Sequence, residues 1–191
     1  HWRDNPERLK GFSNHKSDVL IHLWGSFSRL GQGKELAPHA DLLQHGAIGL
    51  AEDDSMLPID LLQRGLLLGE MGQSPVLLAP RDKQIQASGT VREGVETLRA
   101  GWVPDPITSE TLPLGNLLEL QRQYPESSLR VMNISTKNGV KMMSQCNSPP
   151  MSTVCWWHLV SDRGSMATSD LGWRVVPSIG GKADREALIK A

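Results

Sequence analysis

The chain has 191 residues, with 20 Lys and Arg against 21 Asp and Glu, so its formal net charge is -1 and its pI is near 6.7. This balance argues against nucleic acid or an anionic membrane as a partner, because either would need clustered excess positive charge. Hydrophobic residues make up 39% of the chain and the mean hydropathy is -0.30, which predicts one globular segment over residues 1–191 rather than a disordered chain.

The sequence also indicates where the protein is located and in which state its cysteines are. The sequence has no run of about 18 apolar residues, and residues 1–10 are polar, so we expect neither a membrane span nor a signal peptide. A cytoplasmic location is therefore the expectation. Cys146 and Cys155 are too few for a disulfide framework and lack a second Cys/His pair at zinc-site spacing, which indicates two reduced thiols.

Short apolar runs alternate with helical patterns along the chain. The first run, Val-Leu-Ile-His-Leu-Trp at 19–24, predicts a buried strand that leads into a Gly-rich loop. Further strands are predicted at 47–51, 75–79, 129–134 and 152–157. Helices are predicted at 35–44, 59–71, 137–145 and 184–190 and around Leu114, Leu117 and Leu118, with Gly46 and Gly72 ending the first two. This alternation indicates an α/β fold with a parallel sheet, because parallel strands need crossovers that usually carry helices.

The residues directly after each strand distinguish a doubly wound sheet from a (β/α) barrel of the TIM type. No Gly-x-Gly-x-x-Gly comes after the first strand, which weakens the doubly wound, dinucleotide-binding interpretation. Polar residues instead gather at the carboxyl ends of successive strands, where a barrel places its active site. These residues are Glu52, Asp53, Asp54, Arg81, Asp82, Asn133, Ser135 and His158. We therefore predict a barrel-type fold with about five of the eight strands present.

Six segments of the sequence resemble the central part of a dihydroorotase, in that family's order and with nearly its spacing. They are GAIGLAEDD (46–54), PVLLAPRD (75–82), NISTK (133–137), WHL (157–159), RVVP (174–177) and DREALI (184–189). Dihydroorotases are metal-dependent barrel enzymes of the amidohydrolase group, and they interconvert carbamoyl-aspartate and dihydroorotate in pyrimidine biosynthesis. The resemblance implies a zinc site at the carboxyl ends of the strands, where a metal-bound hydroxide would attack the ring amide.

The sequence departs from that family at the positions of its metal ligands. The first two strands and the last strand have no counterpart, and the two expected histidines are replaced by Ala79 and Asn133. A methyl group has no lone pair, and an amide oxygen is a poor zinc ligand beside imidazole. Only the carboxylates of Glu52 and Asp53 stand where the family places its bridging acid or carboxylated lysine. The resemblance thus implies a catalytically inactive pseudoenzyme without zinc or another cofactor, in which Glu52, Asp53, Ala79, Arg81, Asn133 and His158 form a vestigial site.

Several alternatives remain open at this point. An active cyclic-amide hydrolase could use unmatched ligands such as His22, Glu52 and His158, or residues outside this chain. The acids at 52–54 could bind a hard cation or form a solvated loop, and Asp53 could pair with Arg81 in place of a metal. His158 and Cys155 give only half of a zinc site, so a structural role for His158 is the other interpretation.

Two further expectations concern packing and partners. Trp156 and Trp157 are adjacent, so on a strand they would point to opposite faces. Five strands of a barrel leave sheet edges uncovered, which natural proteins avoid. We therefore expect a protein partner or a homo-oligomer to complete the barrel.

Overall fold

The structure is a computed structural model, and it describes residues 2–14, 18–52, 55–167, 169 and 171–191. The described helices are α1 (Pro6–Ser13), α2 (His39–Gln44), α3 (Ile59–Leu68), α4 (Lys83–Gln86), α5 (Val95–Arg99), α6 (Thr108–Gln123), α7 (Lys137–Ser144), α8 (Trp157–Val160) and α9 (Lys182–Lys190). The described strands are β1 (Leu23–Ser26), β2 (Ala47–Glu52), β3 (Val76–Leu78), β4 (Val91–Arg92), β5 (Pro104–Asp105), β6 (Leu129–Val131) and β7 (Met151–Ser152). Five strands form one sheet in the order β1-β2-β3-β6-β7, and β4 and β5 form a second, small sheet. Within the described ranges, no helix is long and apolar enough to cross a membrane.

The chain divides into two compact units. One consists of His1–Leu78 and Leu120–Arg130, and the other of Ala79–Glu119 and Val131–Ala191. The prediction of a single segment over residues 1–191 therefore stays a prediction, and each unit is described by itself.

The first unit is built on the parallel strands β1, β2 and β3. β2 is buried at five of its six positions, as expected for a strand that is covered on both faces. Leu50 of β2 pairs with Val76 of β3, and Glu52 pairs with Leu78. The parallel pairing confirms the sheet type predicted from the alternating elements, and it fixes Glu52 at the carboxyl end of β2.

A glycine allows the close approach of β2 and β3. A Cβ atom added to Gly49 would collide with the carbonyl oxygen of Pro75 and would lie only 2.7 Å from the ring of Trp24. No side chain fits in this space, so only glycine permits the observed pairing. Around this sheet Phe27, Leu42, Leu50 and Leu62 are fully buried.

The second unit includes most of the long helix α6. In this part of the helix Leu114 and Leu117 lie three positions apart and are buried, as expected of the apolar face of a helix that packs against a core. The small sheet is parallel, with Val91 opposite Pro104 and Arg92 opposite Asp105. These two-residue strands lacked any signal in the sequence, because a period of two cannot be recognised over two residues.

Several predicted elements are shorter in the structure, among them the helix predicted at 35–44, which begins only at His39. The first strand begins at Leu23 rather than at residue 19, and the preceding Val19, Leu20 and Ile21 are 69%, 81% and 57% exposed. Apolarity alone therefore overestimated this strand, since no strand ladder or core contains its first residues. The helix α3 ends at Leu68 because Gly69 adopts a left-handed conformation, with φ of 65°. It does not continue to Gly72.

The fifth predicted strand, at 152–157, was wrong over most of its length. β7 covers only Met151–Ser152, and Trp156 already has helical angles at the start of α8. The prediction that Trp156 and Trp157 point to opposite faces was therefore wrong as well. Their rings stack with centroids 3.8 Å apart, because neighbouring side chains on a tight helical turn can diverge by much less than on a strand.

Candidate functional site

Glu52 ends β2 and is held by the loop after β1. Its side chain is buried, and the Oε2 atom accepts hydrogen bonds from the backbone N–H of Ser28 at 3.0 Å and from the Ser28 hydroxyl at 2.8 Å. The same hydroxyl accepts a bond from the backbone N–H of Gly33 at 2.9 Å. The carboxylate thus helps to order residues 28–33, in addition to any role at the strand ends.

The two acids after Glu52 lie outside the described residues. The predicted cation site at 52–54 and the predicted pairing of Asp53 with Arg81 therefore stay predictions.

The end of β3 carries an apolar residue where the resemblance implies a histidine. Ala79 is buried, and its carbonyl oxygen accepts a bond from the backbone N–H of Arg81 at 2.9 Å. Asp82 caps α4, because its Oδ1 atom accepts bonds from the backbone N–H groups of Gln84 and Ile85. The polar residues after β3 therefore shape a turn into a helix.

Asn133 lies two residues beyond β6 and has an unusual backbone. Its φ of 56° lies in the left-handed region, which non-glycine residues rarely adopt. Thr153 holds it, because the Thr153 hydroxyl accepts from the backbone N–H of Asn133 at 2.9 Å and donates to its Oδ1 atom at 3.3 Å. The turn at Asn133 also explains why β6 is shorter than the predicted strand at 129–134.

Glu110, which the sequence patterns did not single out, holds the residues after Asn133. Its Oε2 atom accepts from the backbone N–H of Ser135 at 3.0 Å and from the Ser135 hydroxyl. Its Oε1 atom accepts from the backbone N–H of Thr136 at 3.1 Å and from the Thr136 hydroxyl at 2.6 Å. Every one of these partners is a donor, which suits an ionised carboxylate.

Arg92 places a positive charge between Glu110 and a second buried acid. All three charged side chains, Arg92, Asp105 and Glu110, are about 1% exposed. Arg92 Nη1 lies 3.1 Å from Asp105 Oδ2, and Nη2 lies 3.2 Å from Glu110 Oε2.

Two serine hydroxyls complete this buried network. The hydroxyls of Ser109 and Ser135 each accept from Arg92 and donate to a carboxylate, Asp105 and Glu110 respectively. Such mutual pairing offsets the large desolvation cost of burying charges. We call Arg92, Asp105, Ser109, Glu110 and Ser135 the Arg92 network.

His158 is buried in α8 and not at the end of a strand, where the sequence predicted it. Its Nε2 atom lies 3.0 Å from the carbonyl oxygen of Pro177. Burial lowers the pKa of this imidazole, and hydrogen bonding to the Ser178 and Pro177 backbone opposes that shift. The neutral ring therefore has one nitrogen engaged within the fold.

The other candidate zinc ligands are not assembled in the described part of the chain. His22 is exposed and precedes β1, so the prediction that it lies inside a strand was wrong. Cys155 is a half-buried free thiol, as is Cys146. Among the residues with described positions, no group of three His, Cys, Asp or Glu side chains could hold a metal ion. The methyl group of Ala79 has no lone pair and Asn133 offers only an amide oxygen, so the residues at these two positions do not fit a zinc centre.

Comparison with known proteins gives relatives over nearly the whole chain. No family model matches. The chain is 33% identical to a probable dihydroorotase-like protein of a Synechocystis strain over 183 residues, covering 90% of this chain and 41% of that protein. It is 26% identical to a dihydroorotase of Thermus aquaticus over 201 aligned positions, covering 98% of this chain and 47% of the relative. The chain therefore spans less than half the length of these curated relatives.

Solved structures agree on the fold. An L-hydantoinase (dihydropyrimidinase) from Arthrobacter aurescens matches with a TM-score of 0.70 and 17% identity, over 96% of this chain and 43% of that one. A dihydroorotase from Saccharomyces cerevisiae, solved in complex with 5-fluoroorotic acid, matches with a TM-score of 0.62 and 13% identity, over 97% and 53%. These matches confirm the predicted α/β class and the partial (β/α) barrel.

Proposed function

Because the chain is a dihydroorotase-like segment with an amidohydrolase barrel fold, we propose that it belongs to a pyrimidine-biosynthesis protein that has lost zinc chemistry and acts as a structural or interaction subunit. The observation that carries this proposal is the chemistry at two positions. Ala79 and Asn133 stand where the resemblance places imidazole ligands. Neither side chain supplies the nitrogen donor that zinc prefers.

The local contacts of the remaining candidates support the same conclusion. The Oδ1 atom of Asn133 accepts from Thr153, Nε2 of His158 contacts the Pro177 carbonyl, and the carboxylate of Glu52 is bonded to Ser28. A zinc ligand must present a free lone pair in a fixed tetrahedral set. Zinc binding at Oδ1 of Asn133, Nε2 of His158 or Oε2 of Glu52 would compete with these contacts.

Zinc content and hydrolysis test the proposal directly. The purified chain is incubated with excess zinc, freed of unbound metal by gel filtration, and analysed by mass spectrometry for zinc and by chromatography for hydrolysis of dihydroorotate. We expect much less than one zinc ion per chain and no hydrolysis. Two zinc ions per chain together with turnover would establish the alternative, an active hydrolase with unmatched ligands.

A matched variant checks whether the two positions are responsible. The double substitution Ala79→His and Asn133→His restores two imidazoles, so we expect retained zinc to rise relative to the unmodified chain. Circular dichroism shows whether the variant is folded. An unchanged zinc content in a folded double variant would mean that the loss lies elsewhere in the ligand set.

The same proposal includes a partner. The sheet ends at β7, and both residues of this strand are exposed. An open strand edge presents unpaired backbone groups to another chain. We propose that a protein partner or a second copy of this chain covers the sheet and completes the barrel, without nucleic acid or a membrane being involved.

A further inference from the structure

An apolar groove of the second unit lies beside β7, the strand that ends the large sheet. Its volume is about 660 Å³, and residues of α7, α9 and β7 are among those that line it. Val140 and Met143 contribute apolar side chains from α7, and Leu188 contributes one from α9. Pockets of this size can hold a drug-sized molecule, so the groove has room for several aliphatic side chains.

The edge of β7 next to this groove is open to another strand. Both residues of β7 are exposed, and β7 stands last in the strand order of the sheet. An open edge of this kind can bind an extended peptide through backbone hydrogen bonds, while neighbouring pockets take alternate side chains of the peptide. The groove and the edge together therefore fit an extended apolar segment better than a compact polar ligand.

A segment with these properties lies directly before β1 in the same chain. Val19, Leu20 and Ile21 are consecutive, and each is more than half exposed. Single exposed apolar side chains are normal in proteins, but a contiguous exposed run indicates a contact surface. Val and Ile are also β-branched, which favours an extended backbone. Residues 19–21, which we call the apolar segment, thus have the exposure and the side chains that the groove requires.

The charges beside the groove and beside the apolar segment are opposite. Asp18 immediately precedes the apolar segment and is itself exposed. Lys190 is exposed and carries the one charged side chain among the described residues that line the groove. Opposite charges across an interface guide association and fix the register of the partners. Adjacent residues are only about 3.8 Å apart, so a chain that places the apolar segment in the groove can bring Asp18 to Lys190.

We propose that the groove beside β7 binds residues 18–21 of a second copy of this chain, with the apolar segment in the groove and Asp18 against Lys190. Every copy carries both surfaces, so one kind of contact covers the groove of one copy and the apolar segment of another. The inference deepens the proposed function and rests on it in one respect, because it names the partner that covers the open sheet.

Analytical ultracentrifugation of the full chain over a wide concentration range tests this contact. We expect the unmodified chain to self-associate. Asp18→Lys and Lys190→Glu each place like charges at the contact and should weaken self-association at least about tenfold. An equimolar mixture of the two variants brings unlike charges together again at every contact between them, so it should associate about as tightly as the unmodified chain.

The apolar segment has a variant and a control of its own. Leu20→Ser removes an exposed apolar side chain from the segment and should weaken self-association at least about tenfold, because that side chain is no longer buried at the contact. Leu67→Ser makes the same change at an exposed residue of α3 and should leave self-association unchanged. Circular dichroism verifies that each variant is folded.

Several outcomes would overturn the inference. They are a chain that stays monomeric at every concentration, single variants that associate as tightly as the unmodified chain, and a mixture of the two charge variants that associates no better than either alone. A monomeric chain would leave a different protein as the partner in the proposed function. Bound zinc together with turnover of dihydroorotate would contradict the proposed loss of catalysis and would leave this contact standing.

Discussion

At the scale of single residues, the Arg92 network shows how burial determines the consequence of a mutation. A fully buried carboxylate that accepts four hydrogen bonds and an ion pair has no solvent to replace a lost partner. Removing one member of such a network leaves the others as uncompensated buried polar groups. Surface ion pairs such as Arg64 with Asp60 lack this property, because water screens them.

Glu110→Gln should therefore be among the most destabilising single substitutions in the chain. The neutral amide removes the charge that faces Arg92 and points an NH₂ group at donors of the loop at 135–136. We expect the free energy of unfolding to fall by about 3–5 kcal/mol, measured by urea denaturation. Glu126→Gln, on an exposed residue, is the matched control and should change stability by less than about 0.5 kcal/mol. Similar losses in the two variants would show that the Arg92 network contributes little.

Two buried histidines make stability depend on pH. Burial lowers the pKa of His39 and of His158 below the ordinary value, and hydrogen bonds to backbone oppose this. The unfolded chain therefore binds protons at higher pH than the folded chain. The contribution of the two neutral histidines to the free energy of unfolding is fully present above about pH 6.5 and decreases as the pH falls below that value. The free energy of unfolding should fall by up to about 1.4 kcal/mol per pH unit for each histidine.

Urea unfolding between pH 7.5 and 5.5 measures this slope. His39→Gln keeps a group that can donate to the Phe27 carbonyl, which the imidazole contacts at 2.7 Å, but it cannot be protonated. The variant should therefore show a shallower loss of stability with falling pH. The same slope in the variant and the unmodified chain would mean that His39 is not responsible.

At the scale of secondary-structure elements, close approach between strands depends on individual glycines. Gly49→Ala drives a methyl group into the Pro75 carbonyl oxygen, so β3 must move away from β2. We expect a loss of about 1–3 kcal/mol or more in unfolding free energy. Gly11→Ala on the exposed face of α1 has nothing within 4 Å and should stabilise by about 0.5–1 kcal/mol, because alanine favours a helix. Equal free energies of unfolding for the two variants would contradict the close approach of β2 and β3 at Gly49.

The sequence predicted elements well where the apolar pattern was long and bounded by turn residues. β2, β3, α7 and α9 agree with prediction within two residues at each end. The predicted strand at 152–157 failed because its apolar and aromatic residues form a turn of helix around the buried His158. Short apolar runs fit either structure, and only contacts with the rest of the fold decide between them.

At the scale of the whole molecule, the uncovered end of the sheet makes association testable. Thr153 donates to the Val131 carbonyl and accepts from Ile134, so the alternation of an extended strand directs the backbone groups of Ser152 the other way. We expect the isolated chain to show a mass that increases with concentration in light scattering. Ser152→Pro removes the outward N–H and should reduce this increase, whereas Ser152→Ala should not. A monomer at every concentration would argue against a homo-oligomer and leave a different protein as the proposed partner.

The sequence by itself determined the order of the main elements, the barrel-type fold class and the resemblance to dihydroorotases, because these depend on apolar periodicity and on residue identity at fixed spacing. Ala79 and Asn133 were visible at that level. Only the tertiary structure decided that residues 19–21 stay outside the sheet and that Arg92 meets Glu110 and Ser135, which lie 18 and 43 positions away. Such pairs have no local signature, because burial and hydrogen bonding join residues whose separation along the chain carries no period.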